Sequence, residues 1–280
     1  MFLPKIVYRE HEAINESLVR TILSWVGRLL LFFASLAAGP ATMILTGEVD
    51  LEQPWSSASH ERQRLAPEPS ETAQAVVQVY SAQAFNWRGA FGVHTWVATK
   101  ASGADHYLIY QVLGWRARYG SDAVVISRGY PDREWYGNPP SVLADIRGSN
   151  AEAAITRIRA AVLDYPYSRW YRIWPGPNSN TFIAYLGRRI PELKLDLPAN
   201  AIGKDYRGTD GIIGTTPSGT GWQFSLAGMA AITASAIEGL EISVLGLGFG
   251  INPGAGALRL PGIGVLELWP DTSPLASRPD

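Results

Sequence analysis

Hydrophobic and polar positions divide the chain into three regimes. The first is Leu29 to Gly47, nineteen positions without a charge, bounded by Arg28 and Glu48. At about 1.5 Å per residue this run approaches the roughly 30 Å hydrocarbon layer of a bilayer, so residues 21–47 are read as a transmembrane anchor. A buried core helix and a cleaved leader are the alternatives; the charged segment 1–20 ahead of the run is long for a leader and favours a retained anchor. Lys5, Arg9, Arg20 and Arg28 precede the run, and Glu48, Asp50 and Glu52 follow it. That asymmetry keeps residues 1–20 cytoplasmic and carries the rest across, as in a single-pass protein of a bacterial inner membrane with its C-terminal domain in the periplasm.

The second regime, residues 48–73, holds Pro54, Pro67 and Pro69 among Ser, Gln and Glu and reads as a linker. The third begins near Gln74. Ala75 to Tyr80 and Gly92 to Thr99 are rich in residues that favour strands, and Ala101-Ser102-Gly103-Ala104 supplies a turn after the second. With Lys100 opposite Asp105, His94 falls opposite Gln111, and His106 opposite Thr99. Ala123 to Trp135 reads as a second hairpin or an irregular stretch. Ala154, Ile155, Ile158, Ala161 and Val162 recur at helical spacing and predict a helix from about Asn150 to Leu163. Tyr165 to Trp174 carries five aromatics in ten positions, a density that points to core packing. Pro175, Gly176 and Pro177 then stop the chain, and Asn178 caps a helix from Ser179 to Leu186, ending at Gly187.

Beyond Gly211, glycine alternates with apolar residues. Glu241 to Leu247 and Gly264 to Leu268 read as strands, and the small residues of Ala227 to Ile237 as a short helix. Ile242 to Leu258 is also uncharged, but its five glycines and Pro253 argue for strands joined by a turn against a second span. These strands are expected to complete the sheet of the same domain. The predicted fold is therefore α+β: a curved, mainly antiparallel sheet with helices packed on one face, over residues 74–270, followed by a tail at 271–280.

Composition narrows the chemistry. The 280 residues are 46% hydrophobic with a net charge of −1, enough apolar matter for one sizeable core and no basic excess that calls for nucleic acid. The chain has no cysteine, which removes disulfides and thiolate metal sites. Its histidines and acids lack the spacing of a metal site, and Gly246 to Gly250 runs into Asn252-Pro253 where a dinucleotide fingerprint needs a helix, so no metal or cofactor is predicted. Of the four histidines, His11 precedes the anchor and His60 lies in the linker. Asp132-Arg133-Glu134 reads as a solvated turn and Lys204 to Asp210 as a surface loop.

His94-Thr95-Trp96 on a strand, a second strand after a short turn, and much later Asn178-Ser179-Asn180-Thr181-Phe182 at a helix start resemble the permuted papain-like hydrolases and acyltransferases, the NlpC-type and lecithin retinol acyltransferase-like proteins. In that class the corresponding helix carries Asn-Cys-Glu-His-Phe; Asn178 and Phe182 match, while Ser179, Asn180 and Thr181 replace the cysteine, glutamate and histidine. The resemblance implies His94 as general base, Gln111 as its orienting group and Ser179 as nucleophile, with Asn178, Asn180 and Trp96 on the substrate side of a cleft. A hydroxyl at the start of a helix also sits beside unpaired N–H groups that favour an oxyanion, whereas Ser, Asn and Thr are equally the usual capping residues. Over roughly residues 74–270 the chain is similar to a bacterial family of membrane-anchored proteins of unknown function, family 3750. Two functions follow as expectations: a non-catalytic protein that binds an envelope ligand or protein partner through a papain-like cleft, or a serine-variant hydrolase or acyltransferase acting on an amide or ester of envelope material.

Overall fold

The computed structural model describes residues 4–269, with side chains from residue 17 onward. The expected tail at 271–280 lies outside the described residues, as do the side chains of Lys5, Arg9 and His11. Helix α1 spans Pro4–Leu45. Its stretch Ser17–Leu45 is long and apolar enough to cross a membrane, and only 11% of its most apolar window is covered by the rest of the chain. Leu30 and Leu31 are solvent-facing in the isolated chain, which suits a helix whose solvent is lipid.

Two antiparallel sheets follow, where one was expected. The first has five strands: β1 (Val76–Gln83), β2 (Val93–Lys100), β3 (Tyr107–Val112), then a short helix α2 (Gly114–Arg118), β4 (Val124–Gly129) and β5 (Ser141–Arg147), in the order β4-β3-β2-β1-β5. Helices α3 (Gly148–Leu163) and α4 (Ser179–Arg189) pack on one of its faces. That side holds the main core. Val77, Val79 and Val97 meet Ile155 and Ile158 of α3 and Phe182, Ile183 and Leu186 of α4. Tyr165, Phe182 and Tyr185 contribute edge-to-face contacts at 5.0 Å. Of the aromatic run, Tyr165 enters this core, whereas Trp170 and Trp174 remain exposed.

The opposite face of the five-stranded sheet carries a smaller cluster, with Val76, Tyr80, Trp96, Ala98 and Tyr107. Residues 48–73, expected as a linker, lie along this face. Ala66 enters the cluster, Pro67 O accepts from Tyr107 Oη at 2.9 Å, and Thr72 O accepts from the buried Lys100 Nζ at 2.5 Å. Asp132, expected in a solvated turn, is fully buried, because its carboxylate receives Ala66 N at 3.1 Å and Arg62 Nε at 3.2 Å.

The second sheet is a meander of seven strands in sequence order: β6 (Ile213–Thr215), β7 (Gly221–Leu226), β8 (Ala230–Ser235), β9 (Gly239–Val244), β10 (Leu247–Asn252), β11 (Ala257–Leu260) and β12 (Gly264–Glu267). The short helix expected over 227–237 is instead strand β8. Gly228 and Gly239, at φ +75° and +76°, make the turns on either side of it, a conformation that ends a helix but closes a hairpin. The segment 195–206 underlies this sheet. Leu195, Leu197, Ala199 and Ala201 are buried there, and Asn200 Nδ2 donates to Gly262 O at 2.8 Å.

Candidate functional site

Alternation along β2 decides where the predicted site residues point, since successive side chains leave a strand on opposite faces. Thr95 and Val97 face the helices: Thr95 Oγ1 donates to Asn180 Oδ1 of α4 at 2.9 Å. His94 and Trp96 face the other way, into the smaller cluster. There the His94 ring stacks on Trp135 with centroids 3.8 Å apart and planes at 14°, and lies 5.7 Å from Trp96. Its Nε2 donates to Gln111 Oε1 at 3.2 Å.

The expected partnership of His94 with Gln111 is thus present, although the register differs. Val97 pairs with Tyr110 and Thr99 with Leu108, a shift of two from the expected ladder, which removes the pairing of His106 with Thr99. A two-residue slip preserves the face, so Gln111 still reaches His94, now diagonally. Burial, opposed by the Gln111 hydrogen bond, pushes the His94 imidazole down to about 4. At neutral pH it is an uncharged ring stacked on the Trp135 indole.

Ser179 opens α4 on the opposite side of the sheet and is itself buried. Its hydroxyl makes no hydrogen bond to His94, whose side chain bonds Gln111. The expected base and nucleophile are therefore not brought together, because one-residue alternation turns His94 away from the helix that carries Ser179. The N-terminus of α4 is also occupied by its own cap. Asn178 Oδ1 accepts from Thr181 N at 3.1 Å while Thr181 Oγ1 accepts from Asn178 N at 3.1 Å, a reciprocal capping box. The amides that could have held an oxyanion are in part consumed by it.

The residues expected on the substrate side are internal ties. Asn178 Nδ2 donates to Ile173 O and Ile202 O, and Asn180 Nδ2 to Val93 O and Ile202 O, all within 3.1 Å. Trp96 Nε1 donates to Pro131 O at 2.9 Å, and its ring stacks on Tyr80. Each of their side-chain N–H donors is spent on backbone carbonyls, and the two amide oxygens accept from Thr181 N and Thr95 Oγ1.

Two features escaped the sequence reading. A cleft of about 580 Å³ is lined by Glu61, Arg62, Arg64, Ala66 and Glu68. Within it Arg62 pairs with Glu68 at 2.6 Å and with Asp132, and covers the Tyr130 ring at 3.4 Å. The other is a buried ionic network beneath the second sheet. Glu241 of β9 takes Lys204 on one oxygen and Arg259 Nε of β11 at 2.6 Å on the other, while Lys204 also reaches Asp205 at 2.9 Å and Arg259 reaches Asp196 at 2.8 Å. Lys204, Asp205 and Arg207 are buried, so 204–210 is not the expected surface loop. The paired cations hold the Glu241 carboxyl below its ordinary range against the opposing pull of burial, and burial lowers Arg188, which donates to Lys204 O and Gln223 Oε1. The signal was available: Gln223, Ser225, Thr233, Glu241, Ser243 and Arg259 alternate with apolar residues along the strands. Among the described residues no group of His, Asp and Glu could hold a metal ion.

Residues 74–206 match a family described as a protein of unknown function (DUF3750). Over that segment, just under half of the chain, the protein is similar to that family. The matched segment holds the five-stranded sheet, α3, α4 and the irregular connection to Tyr206, and it stops before β6, so the seven-stranded sheet lies outside it, where a match to about residue 270 was expected. No curated protein and no solved structure matches the chain.

Proposed function

We propose that this is a membrane-anchored envelope protein whose family domain has a non-catalytic, binding or structural role. The observation that carries the reading is the placement of His94 and Ser179 on opposite faces of the five-stranded sheet. A hydroxyl stays protonated near neutral pH and needs a base within hydrogen-bond reach to become a nucleophile; here His94 stacks on Trp135, bonds Gln111 and is turned away. The cleft lined by Arg62, Arg64, Glu61 and Glu68 is the concave, charged surface at which an envelope ligand would sit. Basic residues before the apolar helix and acidic ones after it support a periplasmic domain with α1 in the inner membrane.

A fluorophosphonate probe tests the reading, since it labels serines activated by a neighbouring base. Wild type, Ser179→Ala and His94→Ala are expected to label equally and at background. Labelling of the wild type that disappears in both variants would establish the hydrolase instead.

A further inference from the structure

The seven-stranded sheet is amphipathic with its polarity reversed. The face turned toward the rest of the chain is polar: Gln223, Ser225, Thr233, Glu241, Ser243 and Arg259 are all buried. The outward face is apolar. Ile213, Phe224, Ile232, Ile242 and Phe249 stand side by side across five adjacent strands. A second row runs from Trp222 through Leu240 and Ile251 to Leu266. Trp222, Ile232 and Ile242 are 68%, 56% and 58% exposed. The charged residues of the seven strands, Glu241, Arg259 and Glu267, all fall at positions of the opposite parity. With strands about 4.8 Å apart and about 3.3 Å per residue, the outward face is on the order of 500 Å², as large as the biggest apolar patch of an ordinary soluble protein and unbroken by charge.

What covers this face follows from where the sheet is fastened. The β11–β12 turn is packed on the C-terminal part of α1. A Cβ on Gly39 would overlap Pro261 O, and one on Gly262, at φ +71°, would meet both Pro40 N at 2.7 Å and Ala90 O at 2.5 Å. Leu36 is buried at the same junction. Ser17–Leu45 is 29 residues long, whereas about 20 suffice to cross the hydrocarbon. Positions 17–35 are exposed throughout, whereas Leu36, Gly39 and Pro40 are covered by protein, so the lipid-facing stretch ends near residues 36–40, earlier than the 21–47 expected and at the level where the sheet is attached.

We infer that the outward face of the seven-stranded sheet lies on the lipid bilayer crossed by α1, with Phe224, Ile232 and Ile242 in the head-group and upper acyl region and Trp222 at its rim. The inference rests on α1 being a membrane anchor. The reversed polarity follows from it: the charges are withdrawn to the inner face because lipid, not water, meets the outer one.

The cysteine-free chain permits single-cysteine labelling of the full-length protein in phosphatidylethanolamine–phosphatidylglycerol vesicles. Leu30→Cys, Phe224→Cys, Ile242→Cys and Ser102→Cys would each carry an environment-sensitive fluorophore, with quenching by spin-labelled lipid as the readout. Labels at Phe224 and Ile242 are expected to be blue-shifted and quenched by lipid spin-labelled near the head group, that at Leu30 by lipid labelled deep in the chain, and that at Ser102 by neither. Quenching at Leu30 without quenching at either sheet position overturns the inference and leaves the anchor standing. A Leu30 label without quenching removes the anchor and the inference with it. Disulfide dimers through Ile242→Cys, without lipid quenching, would assign the face to a second copy of the chain and overturn it equally.

Discussion

Glu241→Ala is expected to lower the unfolding free energy by about 3–5 kcal/mol, the cost of leaving buried charges without their partner. Glu241 is the one carboxylate shared by Lys204 and Arg259, and all three side chains are almost wholly buried. Its removal leaves two cations in the interior with only Asp205 and Asp196 at their outer ends. Against a total stability of about 5–15 kcal/mol for a typical domain, the seven-stranded sheet should detach from the 195–206 segment well before the first sheet unfolds. Denaturant unfolding in detergent micelles, followed by the fluorescence of Trp222 against a Trp222→Phe background, would show an early transition absent from the wild type. Replacing Lys204, Glu241 and Arg259 together by methionine, with Asp205→Asn and Asp196→Asn so that no carboxylate is left without its cation, should restore most of the loss, since the substituted groups carry no charge to desolvate. The network also has a pH signature. The Glu241 carboxyl is depressed in the folded state, so its contribution is present above the ordinary carboxylate range and is lost as pH falls through the depressed value.

The second large effect belongs to His94. Burial lowers its imidazole from 6.5 to about 4, so between those values the unfolded chain binds a proton that the folded one refuses. Stability is then complete above about pH 6.5 and falls as pH drops toward 4, by about 3 kcal/mol over the window for a shift of this size. The direction is opposite to that of a histidine gaining an acidic partner. The difference in unfolding free energy between wild type and His94→Gln, measured across pH 4 to 7, should carry this slope, and the His94 ring protons should titrate near 4 by NMR. Titration near the ordinary value would mean that the ring is solvated and free to act as a base.

Much of the first unit was legible in the sequence because its signals are local. Cap chemistry placed α4: Asn178 and Thr181 form the box that their types suggest. The 3.6-residue recurrence from Ala154 to Val162 placed α3. The pairing of His94 with Gln111 survived a register error of two because only odd slips exchange faces. The side of the sheet on which α4 packs was not legible. Nothing in His94-Thr95-Trp96 says which of the two alternating sets meets a helix arriving some 80 positions later, and that choice separates a dyad from a structural tie. The region after Gly211 misled for a different reason. Small residues from Ala227 to Ile237 resemble a helix until Gly228 and Gly239 are seen at positive φ. Its period of two was visible, yet with apolar residues outward the pattern points to a core that is not there. The buried set includes Glu241 and Arg259, types that composition alone assigns to the surface.

The most direct test of the central claim, that the five-stranded sheet separates His94 from Ser179, again uses the absence of native cysteine. Ala82 and His94 are directly opposed on β1 and β2 and face the same side, within the Cα separation that a disulfide requires. Under mild oxidation the pair Ala82→Cys/His94→Cys should cross-link in high yield, and the pair His94→Cys/Ser179→Cys should remain reduced. Efficient cross-linking of the second pair would place the two side chains in one pocket and contradict the account.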